Sequence, residues 1–203
     1  LDGQLVMELL CSDKKVNISS HFMRPGFAFG GSCLPKDVRA LQQLAKARDV
    51  EAPLMAAILQ ANDAQIDRAA RMVADTGKKI VGLVGISFKP GTDDLRESPL
   101  AELASRLIAD GHDVQVYDPN VSTGYTLDLA GTGRGNDVVP DLRDRMVPTI
   151  ESLIEVSDII LVGNSYAEAV GPLRAVLNEQ PIVDLTRVQP GLMSGGTYQG
   201  ICW

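Results

Sequence analysis

The sequence has few of the residues that serve stacking, metal binding or phosphate neutralisation. Aromatic side chains make up 4% of its 203 residues, with one tryptophan, and histidine occurs twice. Lysine and arginine number 19 against 26 acids, a net charge of -7. A nucleic-acid surface needs a basic stripe or an aromatic platform; the chain offers neither, so no nucleic-acid partner is expected and any phosphate must be gripped locally. The three cysteines, Cys11, Cys33 and Cys202, lie far apart, with no C-x-x-C spacing and no neighbouring histidine. No metal site is expected from that pattern, and a reducing, cytoplasmic setting fits it. No apolar run reaches the roughly 18 residues of a membrane span, the first residues show no charged-then-apolar leader, and no segment repeats. The chain opens on Leu1 directly in a helical pattern, which suggests a longer parent.

What is present is ordinary globular composition, 45% hydrophobic and 22% charged, enough for a sizeable core. Residues 4 to 11 read as helix, and 12 to 35 as an irregular loop containing Gly and Pro. A second helix is expected from Lys36 to about Ala47, with Asp37 favouring its dipole in the first turn. After Pro53 the apolar set Met55, Ile58, Leu59, Ile66, Ala69, Met72 and Val73 recurs at helical spacing over about 22 residues, as a connector between two domains or as a plain core helix. From Lys78 the texture changes. KKIVGLVGI, HDVQVYDP, the end of SLIEVSDIILVGN and PIVDL read as strands, with LAELASRLIADG and the start of SLIEVSDIILVGN as helices between them. Strands alternating with helices imply a parallel β-α-β sheet. Residues 121 to 147, centred on GTGRGND, carry little period and are expected to be an insertion or mobile loop.

Two loops carry chemistry. FAFGGSCLPKDVRAL, residues 27 to 41, sets a cysteine after a Gly-Gly pair and shortly before a lysine. Glycine permits close backbone approach and a cation stabilises a thiolate or an oxyanion, so Cys33 is read as presented rather than structural. The second loop, GLVGISFKPGTDDLRESPL, follows the first strand of the α/β part. It has no G-x-G-x-x-G fingerprint, and the first acid after the second strand, Asp118, lies 33 residues beyond Gly85 instead of the roughly 20 of a dinucleotide site. It does sit at the carboxyl end of a parallel strand, where such sheets bind ligands, and carries Lys89 and Arg96 ahead of a Ser98-Pro99 helix start.

Together RPGFAFGGSCLPKD at 24 to 37 and SFKPGTDDLRESP at 87 to 99 resemble the catalytic-cysteine motif and the C-terminal-domain signature of the UDP-glucose/GDP-mannose dehydrogenase family, the nucleotide-sugar 6-dehydrogenases. The resemblance implies an α/β fold: a central helical dimerisation segment at 1–76 holding the cysteine loop, then a Rossmann-like nucleotide-sugar-binding domain with a parallel sheet at 77–203. It also implies NAD as cofactor, a homodimer with a shared active site, and a four-electron oxidation of the sugar C6 alcohol to a carboxylate. Cys33 matches the nucleophile, which forms a thiohemiacetal and then a thioester. Lys36 and Arg96 match cofactor-side residues. His21, Phe22, Arg24, Phe27, Gly30, Phe88 and Lys89 match nucleotide-sugar ligands, Arg24 reaching across the dimer.

Arg187 in VDLTR resembles a nucleotide-contacting arginine of the UDP-glucose members, while the cysteine loop and the terminal GICW look like the GDP-mannose members, so GDP-mannose is the expected substrate. The alternatives are the UDP-glucose or UDP-N-acetylhexosamine version of the same chemistry, or a non-catalytic nucleotide-binding or dimerisation module. The family's catalytic lysine, asparagine and glutamate fall upstream of Leu1, so the resemblance implies that this chain alone does not turn over.

Overall fold

The computed structural model describes residues 2–14, 25–121, 139 and 141–203. Three helices come first, α1 (Gly3–Leu10), α2 (Leu34–Ala47) and α3 (Pro53–Ala74). The Asp2 carboxylate caps α1 by accepting from the amides of Gln4 at 3.0 Å and Leu5 at 3.2 Å. α2 begins at Leu34, two residues before the expected Lys36, because Pro35 fits a first helical turn, where its missing N–H would have had no partner. α3 runs its 22 residues through two environments. Ile66, Ala69 and Val73 on its carboxyl half are buried, whereas Leu54 near its start is 71% exposed. Its carboxyl half is therefore a core helix, as one of the two sequence readings has it. Of the eleven large hydrophobic side chains exposed among the described residues, nine fall between Leu5 and Leu54. The helical segment therefore carries most of the uncovered apolar surface.

The remainder is β1 (Ile80–Val84), α4 (Pro99–Ala109), β2 (Asp113–Tyr117), α5 (Leu142–Arg145), α6 (Ile150–Val156), β3 (Ile159–Val162), α7 (Ala167–Ala175), β4 (Ile182–Asp184) and β5 (Tyr198–Gly200). The strands form one parallel sheet in the order β2-β1-β3-β4-β5. β1 pairs with β2 from Ile80↔Asp113 to Val84↔Tyr117, and with β3 from Val81↔Ile159 to Val84↔Val162. Every residue of β3 is fully buried, as are Val81, Leu83 and Val84 of β1. A sheet covered by helices on both faces calls for such unbroken apolar strands. Pro99 and Glu102 fill the first turn of α4 and Ser98 caps it, whereas Thr149 and Ser152 close a capping box at α6.

The chain passes from β1 out to β2, then returns across β1 to place β3 on its other side, so the topological switch point lies between β1 and β3. The fifth strand, three residues at the sheet edge, and α7 with Pro172 inside it were not separable by pattern. Residues 122–138 and 140, within the stretch expected to be an insertion, lie outside the described residues. The flanks of that stretch are anchored: Val121, Val139 and Leu142 are buried and Met146 makes an isolated parallel bridge to Val116.

Candidate active site

The loop leaving β1 is held by an acid and an amide from the two neighbouring strands. Asp118, just past β2, accepts through Oδ2 from the Ile86 and Ser87 amides at 3.0 and 3.1 Å and from the Ser87 hydroxyl at 3.0 Å. Its Oδ1 accepts from the Asn120 amide at 2.9 Å. From beyond β3, Asn164 donates through Nδ2 to the Ser87 carbonyl at 2.9 Å. Tyr166 packs beside them; burial, with the nearby Asp118 carboxylate, pushes its phenol well above the usual range and keeps it neutral. Ser87, Asp118, Asn164 and Tyr166 are all buried, so the switch-point crevice is filled by a satisfied polar network. The acid too distant for a ribose contact is thus an anchor. The loop turns its free side toward the helical segment.

The loop bearing Cys33 docks on that side. The Asn62 side chain on α3 accepts from the Phe29 amide at 2.8 Å and donates to the Phe29 carbonyl at 2.9 Å. Gln65, one turn on, donates to the Gly26 carbonyl at 3.1 Å. The Gly31 amide donates to the Glu97 carbonyl at 3.1 Å. The Gly-Gly pair exists for this contact: a Cβ on Gly30 would overlap the Glu97 carbonyl and the Pro99 ring. At Gly31, φ is +86 and a Cβ would lie 2.8 Å from the Phe88 ring. Both sequence motifs therefore meet in one place.

This docking leaves Cys33 as the N-cap of α2, exposed, with no capping bond from its side chain and its sulfur 3.8 Å from Ser32 Oγ. The other cysteines differ. Cys11 is buried; Cys202 is half-buried with its sulfur donating to the Gly26 carbonyl, and burial pushes its thiol up.

A cleft of about 1210 Å³ opens where the loops meet, and its lining includes Cys33, Lys36 and Arg96. Arg96 is held by Asp94, whose carboxylate accepts from Nε at 2.9 Å and Nη2 at 2.7 Å. That hydrogen bond raises the guanidinium's basicity, and the proximity of Cys33 adds a smaller push in the same direction. Asp94 is lowered by the same contact. Lys36, on the first turn of α2, is exposed, with Asp37 4.0 Å away.

The remaining expected residues lie around the cleft or away from it. Phe27 packs against the core, and Phe88 backs Gly31 with Lys89 Nζ 5.3 Å from its ring centroid. Lys89 is exposed outside the cleft lining. Arg187 is far from Cys33 in role: its guanidinium bonds Asp2 at 2.9 and 3.2 Å and Gln4 at 3.0 Å, and lies 5.3 Å from the centroid of the Trp203 ring. In this structure it ties the start of α1 to the C-terminal tail. His21, Phe22 and Arg24 lie outside the described residues.

Sequence reasoning missed Asn62, Arg39, Glu97 and Arg106, which all line the cleft. Arg39 pairs with Glu97, and Arg106 with Glu102 at 2.9 Å, with Asp67 at 2.6 Å and with Asp63, joining α4 to α3. Asn62 alone left a trace, a polar side chain within the apolar repeat of α3.

Fold and site together define a Rossmann-like α/β protein preceded by a helical segment that presents a cysteine beside the ligand edge of a parallel sheet. Two family models match: the UDP-glucose/GDP-mannose dehydrogenase family's central domain over residues 1–64 and its UDP binding domain over residues 82–189. A GDP-mannose 6-dehydrogenase of Pseudomonas savastanoi pv. phaseolicola is 42% identical across the whole chain, which spans 46% of that relative. Among solved structures, a ternary complex of GDP-mannose dehydrogenase from Pseudomonas aeruginosa aligns at TM-score 0.79 and 38% identity, covering all of this chain and 46% of that one. A UDP-glucose dehydrogenase from Pyrobaculum islandicum aligns at TM-score 0.80 and 26% identity over 44% of its length. The chain belongs to the UDP-glucose/GDP-mannose dehydrogenase family and spans a little under half the length of these relatives. Among the described residues no helix is long and apolar enough to cross a membrane, and no cluster of His, Cys, Asp or Glu could hold a metal ion.

Proposed function

We propose that this chain carries the nucleophile and the nucleotide-sugar-binding part of an NAD-dependent 6-dehydrogenase acting on GDP-mannose, with residues 1–76 as the dimerising segment and 77–203 as the nucleotide-sugar domain. The observation that carries the reading is the meeting of the two motifs: Cys33, Lys36 and Arg96 line one cleft, joined by the Gly31–Glu97 hydrogen bond. Its volume of about 1210 Å³ exceeds the roughly 300–1,000 Å³ of a typical small-ligand pocket, which suits a nucleotide sugar beside a dinucleotide. Lys36 and Arg96 are the cations here that fit the cofactor's phosphates and would hold it. NAD, when bound, supplies the hydride acceptor for both oxidations.

Cys33 sulfur adds to the C6 aldehyde to give a thiohemiacetal; its oxidation leaves a thioester, and water releases the carboxylate and frees the thiol. Phe27, Gly30, Phe88 and Lys89 form the nucleotide-sugar side of this reading, with His21, Phe22, Arg24 and Arg187 also assigned there. The choice of GDP-mannose over UDP sugars is supported by the similarity to GDP-mannose 6-dehydrogenases at about 40% identity. The exposed leucines of α1 and α2 are apolar surface that such a dimer would cover.

The test is protection of Cys33 from alkylation. GDP-mannose should slow modification of Cys33 more than UDP-glucose does, and Cys33→Ser in the dehydrogenase that contains this chain should abolish acid formation. Equal alkylation with and without every nucleotide sugar, or turnover surviving in Cys33→Ser, would refute the reading.

A further inference from the structure

One residue grips the cysteine segment on both flanks. The Glu97 carbonyl accepts from the Gly31 amide at 3.1 Å, two residues before Cys33. The Glu97 carboxylate takes both terminal nitrogens of Arg39, six residues after Cys33, with Nη1 3.0 Å from Oε2 and Nη2 on Oε1. Such a fork fixes orientation as well as distance. Glu97 itself has φ 49, a left-handed conformation that a non-glycine residue keeps only when its surroundings hold it. Those surroundings are rigid, because the next residue is Ser98, whose buried hydroxyl donates to the Ile86 carbonyl at 2.6 Å and caps α4. The residue before it is Arg96, on the wall of the cleft.

The Arg39 and Glu97 side chains remain 49% and 43% exposed, where an ion pair adds little to global stability. Its geometric effect is larger than its energetic one. Arg39 fixes the rotation of α2, and the first hydrogen bond of α2 runs from the Asp37 amide to the Cys33 carbonyl at 2.9 Å. We propose that Glu97 is a positioning residue that clamps the Cys33 segment from both sides, with Arg39 as its counterpart, and so sets the cysteine against Arg96. The catalytic meaning of this clamp rests on Cys33 being the nucleophile; the clamp itself does not.

The experiment measures the rate constant for Cys33 alkylation by iodoacetamide at neutral pH, located by peptide mass spectrometry. It compares wild type, Glu97→Gln, Arg39→Gln and the charge swap Arg39→Glu with Glu97→Arg. A clamp predicts that both single variants slow alkylation, by about threefold or more, since a freed α2 carries the sulfur away from the Arg96 guanidinium. The swap should recover most of the rate. A charge effect alone sends the single variants in opposite directions, faster without the Glu97 anion and slower without the Arg39 cation. Opposite shifts, unchanged rates or a swap that stays slow overturn the proposal.

Melting temperatures within about 2 °C of wild type separate loss of position from loss of fold, as suits an exposed pair. Arg39→Lys, which keeps the charge but not the fork, should fall between wild type and Arg39→Gln; if Glu97→Gln melts early, a wild-type rate in Arg39→Gln or Arg39→Lys still overturns the clamp. Turnover in Cys33→Ser bears only on the catalytic reading, whereas the alkylation series bears only on the clamp.

Discussion

Asn62 offers the most direct test of how the cysteine loop is held. Its amide closes two hydrogen bonds on the Phe29 backbone, at 2.8 and 2.9 Å, from a half-buried position on α3. Each such bond contributes about 1 kcal/mol net, and truncation strands a donor and an acceptor at a cost of about 1–3 kcal/mol each where water cannot reach. Phe29 is half-buried, so water satisfies part of that loss and Asn62→Ala should cost about 2–3 kcal/mol in all. For a chain of this size the melting temperature should fall by about 5–10 °C. Asn62→Asp should be nearly as damaging, because it keeps the acceptor for the Phe29 amide and turns an anion toward the Phe29 carbonyl. Gln65→Ala removes the 3.1 Å bond to the Gly26 carbonyl and a weaker 3.6 Å contact with the Cys202 sulfur, and should cost about half as much. Circular dichroism melts with urea titrations measure all three. A loss below about 0.5 kcal/mol for Asn62→Ala, the scatter of ordinary surface changes, or a wild-type Asn62→Asp, would refute the account.

Ser98→Ala removes the cap of α4 and strands the buried Ile86 carbonyl, so urea titration should show a loss of about 2–4 kcal/mol; a loss under about 1 kcal/mol would contradict it. Gly31→Ala meets both a φ of +86 and the Phe88 ring, and should destabilise by more than about 1 kcal/mol while Gly26→Ala, with open space at its Cβ, changes little. In thiol labelling of the native chain Cys33 should react well before Cys202 and Cys11; equal rates would show that the cysteine loop is not docked as described. Asp94 is depressed chiefly by its hydrogen bond to Arg96, so the stability it contributes is complete above the ordinary carboxylate value of 3.8 and is lost as pH falls below it. A carboxyl NMR titration with its midpoint at or above 3.8 would contradict that sign.

The α/β half was legible because buried parallel strands must be continuous apolar runs, as IVGLV and IILV are, and because Ser98-Pro99 is a chemical start signal for a helix. β5 was not, since Tyr198–Gly200 takes its pairing from β4 instead of from any periodicity of its own. The cysteine loop was legible as a motif, but its mooring was not: Asn62 lies 33 positions from Phe29 and Glu97 lies 58 from Arg39. No local pattern couples positions so far apart. Arg187 shows the converse, a residue whose resemblance points to a nucleotide while its neighbours here are Asp2, Gln4 and Trp203.

The tie between Asp2 and Arg187 spans 185 positions, which sets a clock during synthesis. At about 5–20 residues per second the ribosome needs roughly 10–40 s to reach the arginine after adding the aspartate. The Gly3 amide waits still longer for the Cys202 carbonyl that it reaches at 2.8 Å. Through that interval α1, with Leu5 and Leu9 on its surface, lacks both of these contacts, although the Gln4 side chain can already reach the Pro25 carbonyl at 3.4 Å. Of the helices described here, α1 is thus made before the others and seated among the last, and in the meantime its leucines are available to chaperones or to a neighbouring nascent chain.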